Sequence, residues 1–257
     1  MVVNNSVSNE KNNTIKIIII SLIVMALWGS LYPFVQWGFK EFSLKTDFVP
    51  DLILFAGLRF SLSGFILSLF TIKNKEYKTL KNKNNLIGIL FVGLFAIILH
   101  YSFTYIGLSK INSASTALLK QSGVLIFVCF SFLFIKEEKF SILKLLAALL
   151  GVASILIVNM DAFKIKFDIG SILVIGASFC TVIYNVVYKK FIKDISPIAV
   201  TGYSQLFGGI VLLIIGLCFG GRLRNITIAG MFILIYLVIV TIISYSLWYS
   251  VVKKYDL

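Results

Sequence analysis

The sequence predicts an all-α polytopic membrane protein built as an inverted repeat. Three observations predict it. Of 257 residues, 59% are hydrophobic and 14% charged, where a soluble domain averages about 45–50% and about 25%. The apolar residues are gathered into eight long runs rather than spread at amphipathic spacing, so each run reads as a membrane span. The order of the runs also recurs: Pro50 opens the second and Pro197 the seventh, with similar neighbours. An odd number of spans per repeat turns the second copy upside down relative to the first.

The predicted spans are 15–39, 50–72, 85–107, 112–135, 141–160, 168–188, 197–219 and 227–252. Each reaches the ~20 residues that cross ~30 Å of hydrocarbon. Helices are required, because backbone groups in lipid must satisfy one another within the segment. The first run is preceded by Asn4, Asn5, Asn12 and Asn13. It is too long for a signal-peptide core and has no small-residue cleavage site, which predicts an uncleaved span. Gly29 and Pro33 are expected to bend it. The second span starts at Pro50, where a missing N–H costs nothing, and carries Arg59 in mid-span. The third holds His100, Tyr101 and Tyr105, and the fourth holds Lys120. Ala147 and Gly151 form a small-xxx-small pair on the fifth, a tight-packing signal. The sixth carries Tyr184 and Asn185. The seventh has Gln205 near the depth of Arg59, and Gly208-Gly209 as an expected hinge. The eighth carries Tyr245 and Trp248.

Charge sets the expected orientation. The loops on one side receive fifteen Lys/Arg and those on the other receive seven, leaving Arg59 and Lys120 inside spans. The positive-inside rule then places the N-terminus and the end of the eighth span in the cytoplasm, in a multi-pass plasma (inner) membrane protein. The net charge of +13 sits in short loops between spans and does not indicate nucleic acid. Cys129, Cys180 and Cys218 lie singly in three different spans, without metal or disulfide spacing. No cofactor is expected. The partners are the bilayer and a small-molecule solute, with a homodimer among the options for assembly.

Short stretches match between the copies. Ala26-Leu27-Trp28-Gly29-Ser30 is echoed by Ala177-Ser178-Phe179-Cys180-Thr181. Tyr105 to Lys110, closing the third span, is echoed by Tyr249 to Lys254, closing the eighth. With Tyr32-Pro33, Arg59-Phe60, Ala114-Ser115 and Glu137, this order resembles the EamA-type permeases of the drug/metabolite transporter superfamily. The resemblance covers residues from about 15 to 257. It implies ten helices in two inverted five-helix repeats, with 15–160 as the first and 168–257 as the second. The second copy then holds three helices, and the last two of the ten-helix fold are expected to be missing from this chain. The resemblance also implies a central path lined by helices one, three, four, six, eight and nine. Gln36 stands where many such permeases carry lysine.

Lys120 is the leading candidate for substrate contact. It lies about eight residues into the fourth span, ~12 Å deep. Burial of a lysine there costs about 2.5–3.5 kcal/mol on insertion scales. No Asp or Glu lies mid-span to offset it, so a solute carboxylate is a natural partner. Arg59 lies ~13 Å deep, and two cations at one level would attract anions. A structural role for Arg59 competes with that reading. His100, the only histidine, titrates near neutrality when unperturbed. Tyr101 and Tyr105 share one face of the third span and His100 and Thr104 the adjacent one, which fits a cavity wall, with an interhelical hydrogen bond or an interfacial belt as the competing reading. Trp28, Tyr32, Tyr184, Asn185, Gln205, Tyr245 and Trp248 complete the candidate lining. No phosphate loop, metal cluster, catalytic acid pair or nucleophile–base set occurs, so the chain is not expected to be an enzyme. The expected function is alternating-access transport of a small, carboxylate-bearing metabolite such as an amino acid. The competing readings are a non-transporting membrane subunit or sensor, and an intramembrane enzyme.

Overall fold

In the computed structural model, the structure describes residues 2–120, 123, scattered positions between 141 and 153, 168–192 and 195–254. The described residues are helical throughout apart from short connections. The helices are α1 (Val2–Glu41), α2 (Val49–Lys73), α3 (Lys83–Val92), α4 (His100–Leu108), α5 (Ser113–Lys120), α6 (Ile169–Phe191), α7 (Pro197–Cys218) and α8 (Ile228–Lys254). A 3₁₀ turn (Glu76–Lys81) follows α2, and a π-helical segment (Gly93–Leu99) joins α3 to α4 as one continuous rod.

Six helical segments among the described residues are long and apolar enough to cross a bilayer. They are Lys16–Glu41, Val49–Lys73, Lys83–Leu108, Ile169–Tyr188, Pro197–Cys218 and Ile228–Val251. They correspond to the first, second, third, sixth, seventh and eighth predicted spans. The fourth span is described mainly through α5, and most of the fifth, including Gly151, lies outside the described residues. Large apolar side chains such as Phe65, Phe70, Ile214 and Phe232 point outward, as the lipid-facing surface of a bundle requires.

The centre of the bundle is the antiparallel pair α2–α7. Its contact face is a series of glycines seven residues apart: Gly57 and Gly64 on α2, and Gly202, Gly209 and Gly216 on α7. A Cβ on Gly64 would sit 2.2 Å from the Leu206 backbone nitrogen, and one on Gly57 would sit 2.4 Å from that of Leu213. From the other side, a Cβ on Gly209 would lie 2.3 Å from Ser61 N, and one on Gly216 would lie 2.7 Å from Leu54 N. Backbone therefore meets backbone along the whole pair. Small residues allow this, and in lipid such packing supplies much of the helix association energy. Gly208-Gly209 is consequently no hinge. Both residues lie inside unbroken α7, with Gly208 pressed against Ile97 and Gly209 against Ser61. Pro33 likewise sits inside α1 without ending it.

Both ends of the pair are tied by a carboxylate. Fully buried Asp51, in the first turn of α2, accepts from the backbone N–H of Lys45 and of Arg222 (both 2.9 Å) and pairs with the Arg224 guanidinium. At the other end Ser196 donates to Glu76 and accepts from Ala199 N–H, capping α7. α7 stops in a Schellman turn: Gly221 N–H reaches Gly216 O and Gly220 N–H reaches Leu217 O. The turn needs a left-handed residue, and Gly220 supplies it with φ +82°.

Candidate functional site

α1, α2, the third span, α5, α6 and α8 bring eleven of the twelve predicted lining residues to one interhelical region, Gln205 being the exception. The π-helical segment ends immediately before His100. A wide turn inserts extra residues into the rod, and each extra residue rotates the downstream helix by about 100°. The register of His100, Tyr101 and Tyr105 on the site face is thus set one turn earlier, by Gly93–Leu99.

Lys120, in α5, points inward. Its Nζ lies 3.3 Å from His100 Nε2 and 3.5 Å from Thr181 Oγ1 on α6. The other ring nitrogen of His100, Nδ1, lies 3.1 Å from the same Thr181 Oγ1. Three spans therefore meet at a lysine–histidine–threonine triangle. The only ion pair among the described residues is Arg224–Asp51 at the edge of the bundle, so no carboxylate there neutralises Lys120.

Arg59 is fully buried and fully employed. Its Nε and Nη2 donate to Thr241 Oγ1 (2.8 and 2.5 Å), and Nη1 donates to Tyr105 Oη (3.0 Å). Phe60 and Tyr101 present ring faces 4.8 and 5.4 Å from its carbon Cζ, a cation–π environment. The guanidinium knits α2, α4 and α8 together at the floor of the site, as the structural reading of this residue expects.

Aromatic groups form the walls. Tyr245 Oη donates to Tyr101 Oη (3.1 Å), Trp248 Nε1 donates to Asn185 Oδ1 (3.1 Å), and Trp28 Nε1 donates to Ser244 Oγ (3.0 Å). Trp28 packs on Trp248 with centroids 5.3 Å apart, and Tyr184 approaches the His100 ring at 6.2 Å. Tyr32 packs against the same cluster. Gln205 does not join it. Its Oε1 accepts from Ser63 (2.6 Å) inside the α2–α7 seam, and its amide nitrogen has no partner among the described residues. Gln36 has a tethering role: it donates to Leu108 O and Ile111 O and accepts from Ser113, fixing α1 to the start of α5.

Thr181, Thr241 and Ser244 belong to the site and were not among the predicted contacts. Their signal in the sequence is a small hydroxyl in mid-span, which is common in spans and says nothing about which neighbour it meets. At the edge of the bundle, Lys45, Asp47, Phe48, Gly220, Arg222 and Arg224 line an open pocket of about 540 Å³ with three cationic side chains.

The EamA-like transporter family model matches residues 15–160 and 168–256. The chain belongs to the EamA-like transporter family. Its relatives are distant. It is 23% identical over 237 residues to the uncharacterized transporter YdfC of Bacillus subtilis, covering 91% of this chain and 74% of that one. It is 21% identical over 168 residues to the uncharacterized transporter YyaM of the same organism, covering 63% and 54%. It is 25% identical over 199 residues to the uncharacterized inner membrane transporter YicL of Salmonella typhimurium, covering 75% and 63%. The chain thus spans between about half and three quarters of these relatives' lengths. No solved structure matches it. Membership of this family implies a repeated transporter architecture in an all-helical, multi-pass membrane protein.

Proposed function

We propose that this EamA-family protein transports a small, carboxylate-bearing organic metabolite, such as an amino acid, by alternating access. The observation that carries the reading is Lys120: an inward-facing ammonium among aromatic walls, held by His100 and Thr181 and facing no carboxylate among the described residues. A cation kept in mid-membrane is expensive and marks a solute or ion path. Lys120 and His100 hold the anionic group in this reading. Tyr101, Tyr184, Tyr245, Trp28 and Trp248 hold the body of the solute, and Asn185 orients Trp248. Arg59 and Tyr105 set the floor.

The architecture of the reading is two inverted five-helix repeats, 15–160 and 168–257, rocking about this site. The antiparallel α2–α7 pair, with the same seven-residue glycine spacing on both helices and a carboxylate contact at each end, supports it. The two helices are the second of each repeat, and inversion requires such partners to run in opposite directions. The N-terminus is cytoplasmic in this scheme, in the inner membrane, by the lysine distribution of the loops.

The test is uptake of a radiolabelled amino-acid and carboxylate panel into proteoliposomes holding the protein expressed from its intact gene. Carboxylated solutes should move, and Lys120→Ala should abolish their flux while leaving the purified protein monodisperse. Undiminished flux in Lys120→Ala removes Lys120 from the site. An inert protein across the panel removes the transport reading of these solutes.

A further inference from the structure

The lysine–histidine–threonine triangle offers more than an anion contact, because an ammonium at Lys120 faces a ring nitrogen that can take its proton. The Thr181 hydroxyl gives its proton to Ala177 O at 3.2 Å. An ammonium at Lys120 leaves Nε2 as the acceptor, which puts the neutral ring's proton on Nδ1, 3.1 Å from the Thr181 oxygen. A neutral ring protonated at Nδ1 presents a bare lone pair at Nε2. That lone pair faces Lys120 Nζ at 3.3 Å, and the ammonium donates to it. If the ring also carried a proton at Nε2, an N–H would point at an ammonium. Two like charges would then stand 3.3 Å apart inside a membrane, an arrangement that one of the two groups relieves by losing its proton.

The surroundings offer no escape. The charged and titratable groups facing the pair are Arg59 from α2, Tyr101 beside His100, and Tyr184 and Cys180 from α6. Tyr245 of α8 reaches Tyr101. Arg59 adds positive charge, and among the described residues no carboxylate faces the pair.

We propose that Lys120 and His100 together form a binding site for a single proton, shared along the Nζ–Nε2 line, and that the proton is the coupling ion of this carrier. The first half of the proposal stands on geometry alone, and the second rests on the transport reading above. The loading step is balanced in charge. The empty pair is neutral at both nitrogens. A proton arriving from water adds to Nζ or Nε2, and the carboxylate of the solute enters against the positive charge so made. A monoanion and a proton then cross as a neutral pair. Each favours the other's binding by the same factor, as linkage requires.

His100 is the only histidine in the chain, so ¹⁵N-histidine labelling in lipid nanodiscs gives one resolvable ring. Between about pH 5 and pH 8, where a free histidine changes charge, the ring should remain neutral and Nδ1-protonated while Lys120 is present. In Lys120→Met the site's proton has only the ring to sit on, and imidazolium should appear in acid. Lys120→Arg, with a permanent charge, should keep the ring neutral and serves if the methionine variant does not fold. An imidazolium signal at about pH 6 in the unsubstituted protein overturns the one-proton site. In proteoliposomes, an acid-outside gradient should accelerate carboxylate uptake several-fold, and a protonophore should remove the gain. Flux that ignores the gradient overturns the coupling. The two readouts separate the claims: the ring signal needs no solute, so inert proteoliposomes with the expected spectrum defeat transport and leave the proton site. Active flux with a freely titrating ring does the reverse.

Discussion

Replacing Gly64 by alanine should destabilise the protein, although alanine is the better helix former. The added Cβ would stand 2.2 Å from Leu206 N and 2.5 Å from Leu206 Cα, where ordinary contact starts at 3.4 Å. These are backbone atoms of the facing helix, so no side chain can swing away, and α2 and α7 must part locally by about 1 Å. A gap of that size forfeits about a quarter to a half of the contact energy of the atoms it separates. Overpacking of this kind costs about 1–3 kcal/mol and at a backbone clash falls at the upper end. The gain in helix propensity returns at most about 1 kcal/mol. The net loss is therefore about 2 kcal/mol, or about 4–8 °C in thermal midpoint for a chain of this size. Gly29→Ala is the internal control. A Cβ there meets nothing within 4 Å, so propensity acts alone and the midpoint should hold or rise slightly. Both are read by thermal unfolding in detergent with size-exclusion checks of monodispersity. A Gly64→Ala protein as stable as Gly29→Ala would refute the backbone-contact account of the α2–α7 seam.

Three further outcomes are expected. Thr241→Val removes the acceptor of two Arg59 N–H groups in a buried setting and should cost about 1.5–3 kcal/mol by unfolding. A double-mutant cycle with Tyr105→Phe should show coupling, since both hold one guanidinium. Asp51→Asn leaves Arg224 without its charge partner and weakens the clamp to Lys45 and Arg222. It should lower the midpoint and raise proteolytic cutting in the 219–227 connection. The Ser171 amide holds the Asp168 carboxyl below the ordinary carboxylate range. That cap's contribution is present above the unfolded-state pKa and is lost as pH falls through the lower folded-state value. Asp168→Asn should therefore flatten the acid limb of the stability curve.

The helical, membrane-spanning character was legible because the cost of unsatisfied backbone in lipid leaves only long apolar helices, and composition reveals those directly. Six of the eight predicted runs are present as spans among the described residues. The candidate lining was legible for a related reason: polar and aromatic groups in mid-span are scarce, so Lys120, His100 and Arg59 stood out. The roles were less legible. Arg59 and Lys120 look alike as isolated cations in a sequence. In the fold, one is consumed by Thr241 and Tyr105, and the other faces His100 and Thr181 among the described residues. Gln205 looked like a site residue because its depth matched Arg59, but depth does not set the direction a helix face points. It turns to Ser63 in the seam.

Composition and the order of apolar runs alone determined the class of this protein and its membrane environment, because those derive from transfer free energies summed over whole segments. The tertiary structure decided which side chains meet. Gly208-Gly209 turns from an expected hinge into part of a close helix–helix contact only when α7 lies against α2 and the third span. The Lys120–His100 contact joins residues twenty positions apart across a turn of chain, and it depends on the π-helical register before His100. Contact between spans depends on rotation and approach to within an ångström, and those are properties of packed helices rather than of any one helix.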